Sequence, residues 1–356
     1  MNNFFLDLDK LLAAGKKVVI ARIIYQKGSA PRSIGTKCII LESGEILGTI
    51  GGGALEYQVI EKSKDVFKAG KSATIHFQLT GTDVADTDML CGGIVDVFLE
   101  PVFPDNPAAG EIYAKTRALV MKGSGNGTLL TLIADGISHG RQDRHALMIE
   151  DASGREVIGR IAGAVDLGAD SRLKVKEPQL IKLKAEGQSV FAEPIQAADV
   201  LYIFGAGHIS TFLSPLAKLV GFCVVVIDDR EEFANRKRFP DADEILVTPL
   251  SQAFDGIVVT HSAYIAVITR GHIHDHAVLR EALKHQPAYI GMIGSRRKRE
   301  MIYQALMKEG MPQTILQTVH SPIGLAIGAE TPEEIAVSIV AELIQERDRL
   351  NKKLAG

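Results

Sequence analysis

The sequence predicts an α/β protein in two parts: an N-terminal β-rich α+β domain built from two degenerate repeats, then a C-terminal Rossmann-like domain around a parallel sheet. Three observations carry this expectation. The apolar run Val200 to Phe204 leads into Gly205-Ala206-Gly207 and straight on into an amphipathic helical pattern. From residue 197 onward strand and helix patterns alternate, which is how a parallel, doubly wound sheet is written. The phrase Val-Phe-x-Glu-Pro-aliphatic occurs twice, at Val97 to Val102 and again at Val190 to Ile195.

The duplication sets the organisation of residues 1–196. In the first half, about 1–104, the segment Ser43 to Ile50 passes through Gly51-Gly52-Gly53 into a helix expected over Ala54 to Lys68. In the second, about 109–196, Ser153 to Ile161 passes through Ala162-Gly163-Ala164. Between them Phe103-Pro104-Asp105-Asn106-Pro107 reads as a loop before a helix from Ala109 to Lys122. Duplicated halves share the needs of folding, whereas a chemical site usually survives in one copy. Only the first half has the loop Gly28 to Gly35, the triple glycine, and Thr87-Asp88-Met89-Leu90-Cys91-Gly92-Gly93. The competing reading is a second half that shortened without losing anything functional.

The domain boundary is expected near Gln196, with 197–356 forming the Rossmann-like domain. The helix after Gly207 carries Leu213, Leu216, Ala217 and Leu219 and stops at Gly221; Phe222 to Ile227 is the next strand and delivers Asp228. Later strands are expected at Glu244 to Val247, Ala263 to Ile268 and Tyr289 to Ile293. Pro332 in a first helical turn, followed by Glu333 and Glu334, starts the last helix.

Chemistry follows from these turns. Gly205 permits a tight turn, and Gly207 lets backbone approach a pyrophosphate whose charge sits on the free amides of the helix N-terminus. Asp228 suits a ribose diol and Arg230 a 2′-phosphate, so NAD and NADP both remain open, and FAD fits the same motif. Ser210 stands where the dinucleotide motif has its third glycine, which predicts slightly wider helix–strand packing. The competing reading is an α/β scaffold whose ligand site has decayed.

Gly51, Gly52 and Gly53 direct unblocked amides and a helix N-terminus at one point, so an anion is expected there; the alternative is a tight turn without a ligand. Glu56 in the first helical turn serves either the helix dipole or a ligand. Cys38 and Cys223 lie in apolar strand runs as inert small hydrophobes, whereas Cys91 stands among glycines and acids. A reactive Cys91 needs a positive neighbour, and Arg32 is the candidate. Ser295 is a candidate N-cap for a helix whose first turn holds Arg296, Arg297, Lys298 and Arg299, an arrangement that opposes the dipole unless an anion binds. His272-Ile273-His274-Asp275-His276 invites a metal reading, but its register breaks the alternation that aims ligands at one centre; Thr269-Arg270-Gly271-His272 is expected to form a rim loop at the carboxyl edge of the sheet instead.

The net charge of −3, with both signs interspersed, gives no case for nucleic acid or an anionic membrane. The basic cluster has no aromatic platform for stacking bases. No apolar run approaches the roughly 20 residues that span a bilayer, and the N-terminal residues lack a basic leader pattern, which together predict a cytoplasmic protein. Three cysteines fit a reducing compartment.

Taken in order, Gly28-Ser29-Ala30-Pro31-Arg32, Gly51-Gly52-Gly53-Ala54-Leu55-Glu56, Cys91-Gly92-Gly93, Phe204-Gly205-Ala206-Gly207-His208, Asp228-Asp229-Arg230 and Ile290 to Arg297 resemble the XdhC/CoxI family, accessory proteins of xanthine dehydrogenase and related molybdenum hydroxylases. The resemblance runs over nearly the whole chain. It implies a chaperone that binds molybdenum cofactor (molybdopterin), protects it while a sulfurtransferase installs its terminal sulfido ligand, and hands it to an apo-hydroxylase such as xanthine dehydrogenase. In that setting Cys91 guards or ligates molybdenum, and His208 joins the residues of the nucleotide turn. One departure is Ala326, where the family commonly has aspartate. Turnover is not expected of such a chaperone. The alternative is an NAD(P)-dependent oxidoreductase acting on a bound cofactor or thiol, although no acid–base pair is identifiable beside the Rossmann motif. An isologous homodimer is the commonest assembly for proteins of this kind.

Overall fold

Apolar alternation and glycine punctuation divide the chain at the point where antiparallel pairing gives way to parallel pairing. The computed structural model describes residues 4–78, 93–122, 127–151, 154–162, 167, 170–183, 188–195 and 197–355. Its contacts resolve into two compact units that meet in sequence between residues 196 and 197.

The N-terminal unit opens with α1 (Phe4–Ala13), whose Phe4, Phe5, Leu6 and Leu8 are buried. Then come β1 (Val18–Lys27), β2 (Lys37–Leu41), β3 (Ile46–Gly48), α2 (Gly53–Ala69), β4 (Ala73–Gln78) and β5 (Ile94–Val102). The second set is α3 (Pro107–Lys122), β6 (Gly127–Ile133), β7 (His145–Asp151), β8 (Gly154–Gly159), a 3-10 turn (Ser171–Leu173), β9 (Gln179–Lys182) and β10 (Ser189–Ile195). Each set makes a five-stranded sheet, ordered β3-β2-β1-β5-β4 and β8-β7-β6-β10-β9. Every pair in both is antiparallel. Adding five to each label of the first sheet reproduces the second, so the expected duplication is a duplication of topology. The copies differ between their third and fourth strands, where the first places the long helix α2 and the described residues of the second place only the 3-10 turn.

The repeated phrase lies where the two sheets meet. Phe98 and Phe191, the aromatic positions of the two copies, share one buried cluster with Ile24 and Ile133. The glutamates cross over: Glu100 of the first repeat takes the buried Arg144 at 3.3 Å and also His145, both from the second. Glu193 of the second repeat takes Lys37 and, at 3.9 Å, Arg22, both from the first. Arg22 also donates to Thr131 at 3.0 Å. Isolated buried charges are very costly, so partners must accompany them into the interior. Burial alone pushes the Glu100 carboxyl up, but Arg144, His145 and Arg22 outweigh it and hold the group well below its ordinary range.

The C-terminal unit runs β11 (Val200–Phe204), α4 (His208–Leu219), β12 (Cys223–Asp228), β13 (Glu244–Val247), β14 (Ala263–Val267), α5 (His272–Ala282), β15 (Tyr289–Met292), α6 (Arg296–Lys308), α7 (Gln313–Leu316) and α8 (Pro332–Ala355). The strands pair in parallel in the order β13-β12-β11-β14-β15, the doubly wound arrangement the alternation predicts. Its core packs the sheet against Leu213 and Ala217 of α4 and Ala336, Ile339 and Leu343 of α8. The start of α8 is a capping box, with Glu334 accepting from the Thr331 amide at 3.2 Å while Thr331 Oγ1 accepts from the Glu334 amide at 3.3 Å. The expected rim loop holds over Thr269 to Gly271, and His272 already begins α5. No helix among the described residues is long and apolar enough to cross a membrane.

Candidate functional site

In the C-terminal sheet the chain leaves β11 toward β12 on one side, while β14 and β15 lie on the other, so the carboxyl ends of β11 and β14 flank a topological switch point. Crevices of this kind are where open α/β sheets bind ligands. Gly205 sits there with φ +108, and a Cβ on it would lie 2.2 Å from the Ile268 carbonyl, so only glycine lets the two strand ends come this close. Gly207 precedes α4 with no side chain capping the helix, and a Cβ on it would meet nothing within 4 Å. Open backbone therefore faces the crevice at a helix N-terminus, the arrangement that suits a pyrophosphate. The buried Ser210 has its own use in place of the third glycine, because its hydroxyl donates to the Gly205 carbonyl at 2.5 Å.

Asp228 lies at the end of β12, but its carboxylate is engaged from within. One oxygen accepts from the Arg230 amide at 3.1 Å and Nε at 2.9 Å; the other accepts from the Ala206 amide at 2.8 Å and Arg230 Nη2 at 3.0 Å. Burial raises the Asp228 carboxyl, yet the bonds from Arg230 and Ala206 outweigh it and keep the group below its ordinary value. A ribose diol must therefore compete with Arg230, whose guanidinium also stacks on Phe233 at 3.8 Å. Beyond it, Arg270 from the loop after β14 reaches Asp229 at 2.9 Å. These two residues follow the strands on either side of β11.

The basic turn is partly spent on the protein. Ser295 caps α6 by accepting from the Lys298 amide. Lys298 pairs with the buried Asp275, and Arg299 donates to the Ser321 carbonyl at 2.9 Å. Arg296 and Arg297 stay exposed. Asp275 also accepts from Thr269 Oγ1 at 2.6 Å, so it ties the first turn of α5 to the strand end before it. No three metal-ligating side chains come together among the described residues.

A second glycine turn lies in the first repeat of the N-terminal unit. Gly51, with φ +135, packs on the loop from Gly28 to Gly35: a Cβ there would come within 2.8 Å of Pro31 Cγ and 3.8 Å of Arg32 Cγ. Gly93 packs on the same loop, where a Cβ would lie 2.2 Å from the Ser29 carbonyl. Gly51 and Gly93 thus both pack on the loop peculiar to the first half, through Pro31 and Ser29 respectively. Cys91 lies outside the described residues. Arg32 is exposed, while Cys38 is buried and its thiol is pushed up to about 12 by burial and the nearby Glu56 charge, as an inert core cysteine should be.

The amides of this turn already hold an anion, and it belongs to the protein. Glu56 Oε1 accepts from Thr49 Oγ1 at 2.5 Å, the Ile50 amide at 3.0 Å and the Gly52 amide at 3.0 Å. Burial pushes the Glu56 carboxyl up, but Thr49 and the backbone amides prevail and hold it below its usual value. The residues that sequence reasoning passed over are the internal partners, Thr49 for Glu56 and Ala206 for Asp228. Their signal was only proximity to a glycine turn.

Two family models match the chain. One is described as the XdhC and CoxI family and covers residues 11–78; the other is described as the XdhC Rossmann domain and covers residues 201–343. A Bacillus subtilis (strain 168) protein, named as a probable subunit of xanthine dehydrogenase, is 27% identical over 353 residues, 98% of this chain and 99% of that protein. The uncharacterized protein YqeB of Escherichia coli (strain K12) is 23% identical over 346 residues, 96% of this chain but 46% of that longer protein. Among solved structures, the crystal structure described as a xanthine dehydrogenase from Bacillus halodurans is similar with a TM-score of 0.66 and 25% identity, over 97% of this chain and 96% of that one.

Proposed function

Because the chain belongs to the XdhC and CoxI family, we propose that it is an accessory factor of a xanthine dehydrogenase or a related molybdenum hydroxylase. It binds molybdenum cofactor as cargo, shelters it while a sulfurtransferase supplies the terminal sulfido ligand, and delivers it to the apo-enzyme. The observation that carries this reading is that Gly51 and Gly93 both pack on the loop from Gly28 to Gly35, against Pro31 and the Ser29 carbonyl. The cargo is a pyranopterin dithiolene with a phosphate, so it needs a cation and a close backbone surface. Arg32 supplies the exposed guanidinium. Glu56 fixes the turn by taking the Ile50 and Gly52 amides, which leaves phosphate recognition to Arg32 and not to those amides. Cys91 is the soft sulfur donor that suits molybdenum.

The C-terminal unit binds NAD or NADP in this reading, with the pyrophosphate at Gly207 and His208. The fit rests on the Gly205 close approach and on the uncapped start of α4. That crevice also favours the second reading, an NAD(P)-linked oxidoreductase. Hydride transfer from NADH or NADPH to candidate acceptors separates the two, since an accessory factor should show no sustained turnover.

Anaerobic equilibrium binding of isolated molybdenum cofactor tests the first reading, using the wild type and the Cys91→Ala variant with folding checked by circular dichroism. Tight binding that Cys91→Ala weakens is expected. A folded wild type that does not bind would overturn the cargo role.

A further inference from the structure

The C-terminal unit has a second concavity at the other end of its sheet, where the chain leaves α5 and enters the amino end of β15. It encloses about 480 Å³, within the range of small-ligand sites, and lies away from the strand ends that carry Gly205 and Gly207. Lys284, His285, His320 and Arg349 all line it, alongside aliphatic side chains such as Leu283 and Ile315, and no carboxylate is among the lining residues.

His320 is held in a defined orientation. Its Nδ1 lies 3.0 Å from Glu342 Oε1, and the same carboxylate accepts from the Gly324 amide at 2.7 Å and from the Tyr289 hydroxyl. Tyr289 in turn packs its ring 4.6 Å from the imidazole. Carboxylate–imidazole pairing places the Nδ1–H on Glu342 and leaves Nε2 for the pocket, where it donates to an anion in the imidazolium form that the pairing favours. The bond to Glu342 also raises the proton affinity of the ring. The acids behind the lining are committed: Glu281 pairs with Lys284, and Glu346 with Arg349.

We propose that this pocket is a binding site for a small organic anion, whose charged end meets His320 Nε2 and whose apolar body rests on Leu283 and Ile315. It is separate from the nucleotide crevice and does not depend on the cargo reading. Glu342 is a positioning residue that acts through His320.

Histidine-labelled protein titrated with benzoate, and separately with inorganic phosphate, tests the assignment by NMR, with the His320 resonance identified from its loss in His320→Asn. Asparagine keeps a donor toward Glu342 and removes Nε2, so its thermal midpoint should stay close to wild type. The expected result is a saturable benzoate shift at His320 with millimolar or tighter affinity, weakened at least tenfold in His320→Asn as read from the remaining pocket histidine, His285. Phosphate should not saturate, because it lacks the apolar body. Binding of phosphate alone, no saturable benzoate shift, or undiminished benzoate binding by a folded His320→Asn would each overturn the proposal.

Discussion

The two glycine turns, Gly51 to Gly53 and Gly205 to Gly207, are built alike and filled differently. Each closes a strand, opens a helix and needs glycine for a close approach, to Pro31 in one case and to the Ile268 carbonyl in the other. In the first, Glu56 from the following helix folds back and takes the Ile50 and Gly52 amides, so the protein supplies its own anion. In the second, Asp228 arrives from the neighbouring strand and takes, of the turn's amides, that of Ala206, leaving Gly207 and the start of α4 uncapped. Converging amides therefore mark a place for negative charge without saying whether a ligand or a side chain brings it. The side chain four positions into the helix decides.

The sharpest way to break the comparison is to remove the close approach. Gly205→Val places a side chain against a carbonyl at a positive φ, and urea denaturation should show the C-terminal unit losing about 3 kcal/mol or more. Next in size is Glu56→Ala, which orphans two amides and a hydroxyl and should cost the N-terminal unit about 2 kcal/mol by the same measurement. Because the folded carboxyl of Glu56 is held below its unfolded value, its contribution is complete above about pH 4.3 and is lost as pH falls through the folded value. The stability gap between wild type and Glu56→Gln should therefore narrow on acidification. Ser210→Ala removes the hydroxyl from the Gly205 carbonyl and should cost about 1 kcal/mol. Smallest in stability is Gly207→Ala, whose methyl meets nothing within 4 Å and should shift stability by less than about 0.5 kcal/mol. The same methyl intrudes where a pyrophosphate would lie, so NAD(P) affinity in calorimetry should fall at least tenfold.

Local pattern made much of the fold legible. Strand Glu244–Val247 follows from its own apolar run, and the five parallel strands follow from alternation with helices. The repeat was legible in Val-Phe-x-Glu-Pro, although the reason for the phrase was not, since Glu100 meets Arg144 and Glu193 meets Lys37 only after two sheets pack. The same limit applies at the sites. Ser295 was readable as a cap because capping is local. The engagement of Asp228 by Ala206, 22 residues away, and of His320 by Glu342 depends on parallel pairing and on where α8 returns, which no short window records. Lys298 and Arg299 read as free cations in sequence, but Asp275 and the Ser321 carbonyl claim them in space.

Hydrogen exchange at the two turns, measured with molybdenum cofactor and with NAD(P) added separately, tests most directly the claim that the chain carries its cargo on the first repeat and its nucleotide on the Rossmann turn. Slowed exchange over 28–35 and 49–56 with the cargo, and over 205–209 with the nucleotide, is the expected result. Protection by the cargo at 154–161 of the second repeat, or at 205–209 alone, would contradict it.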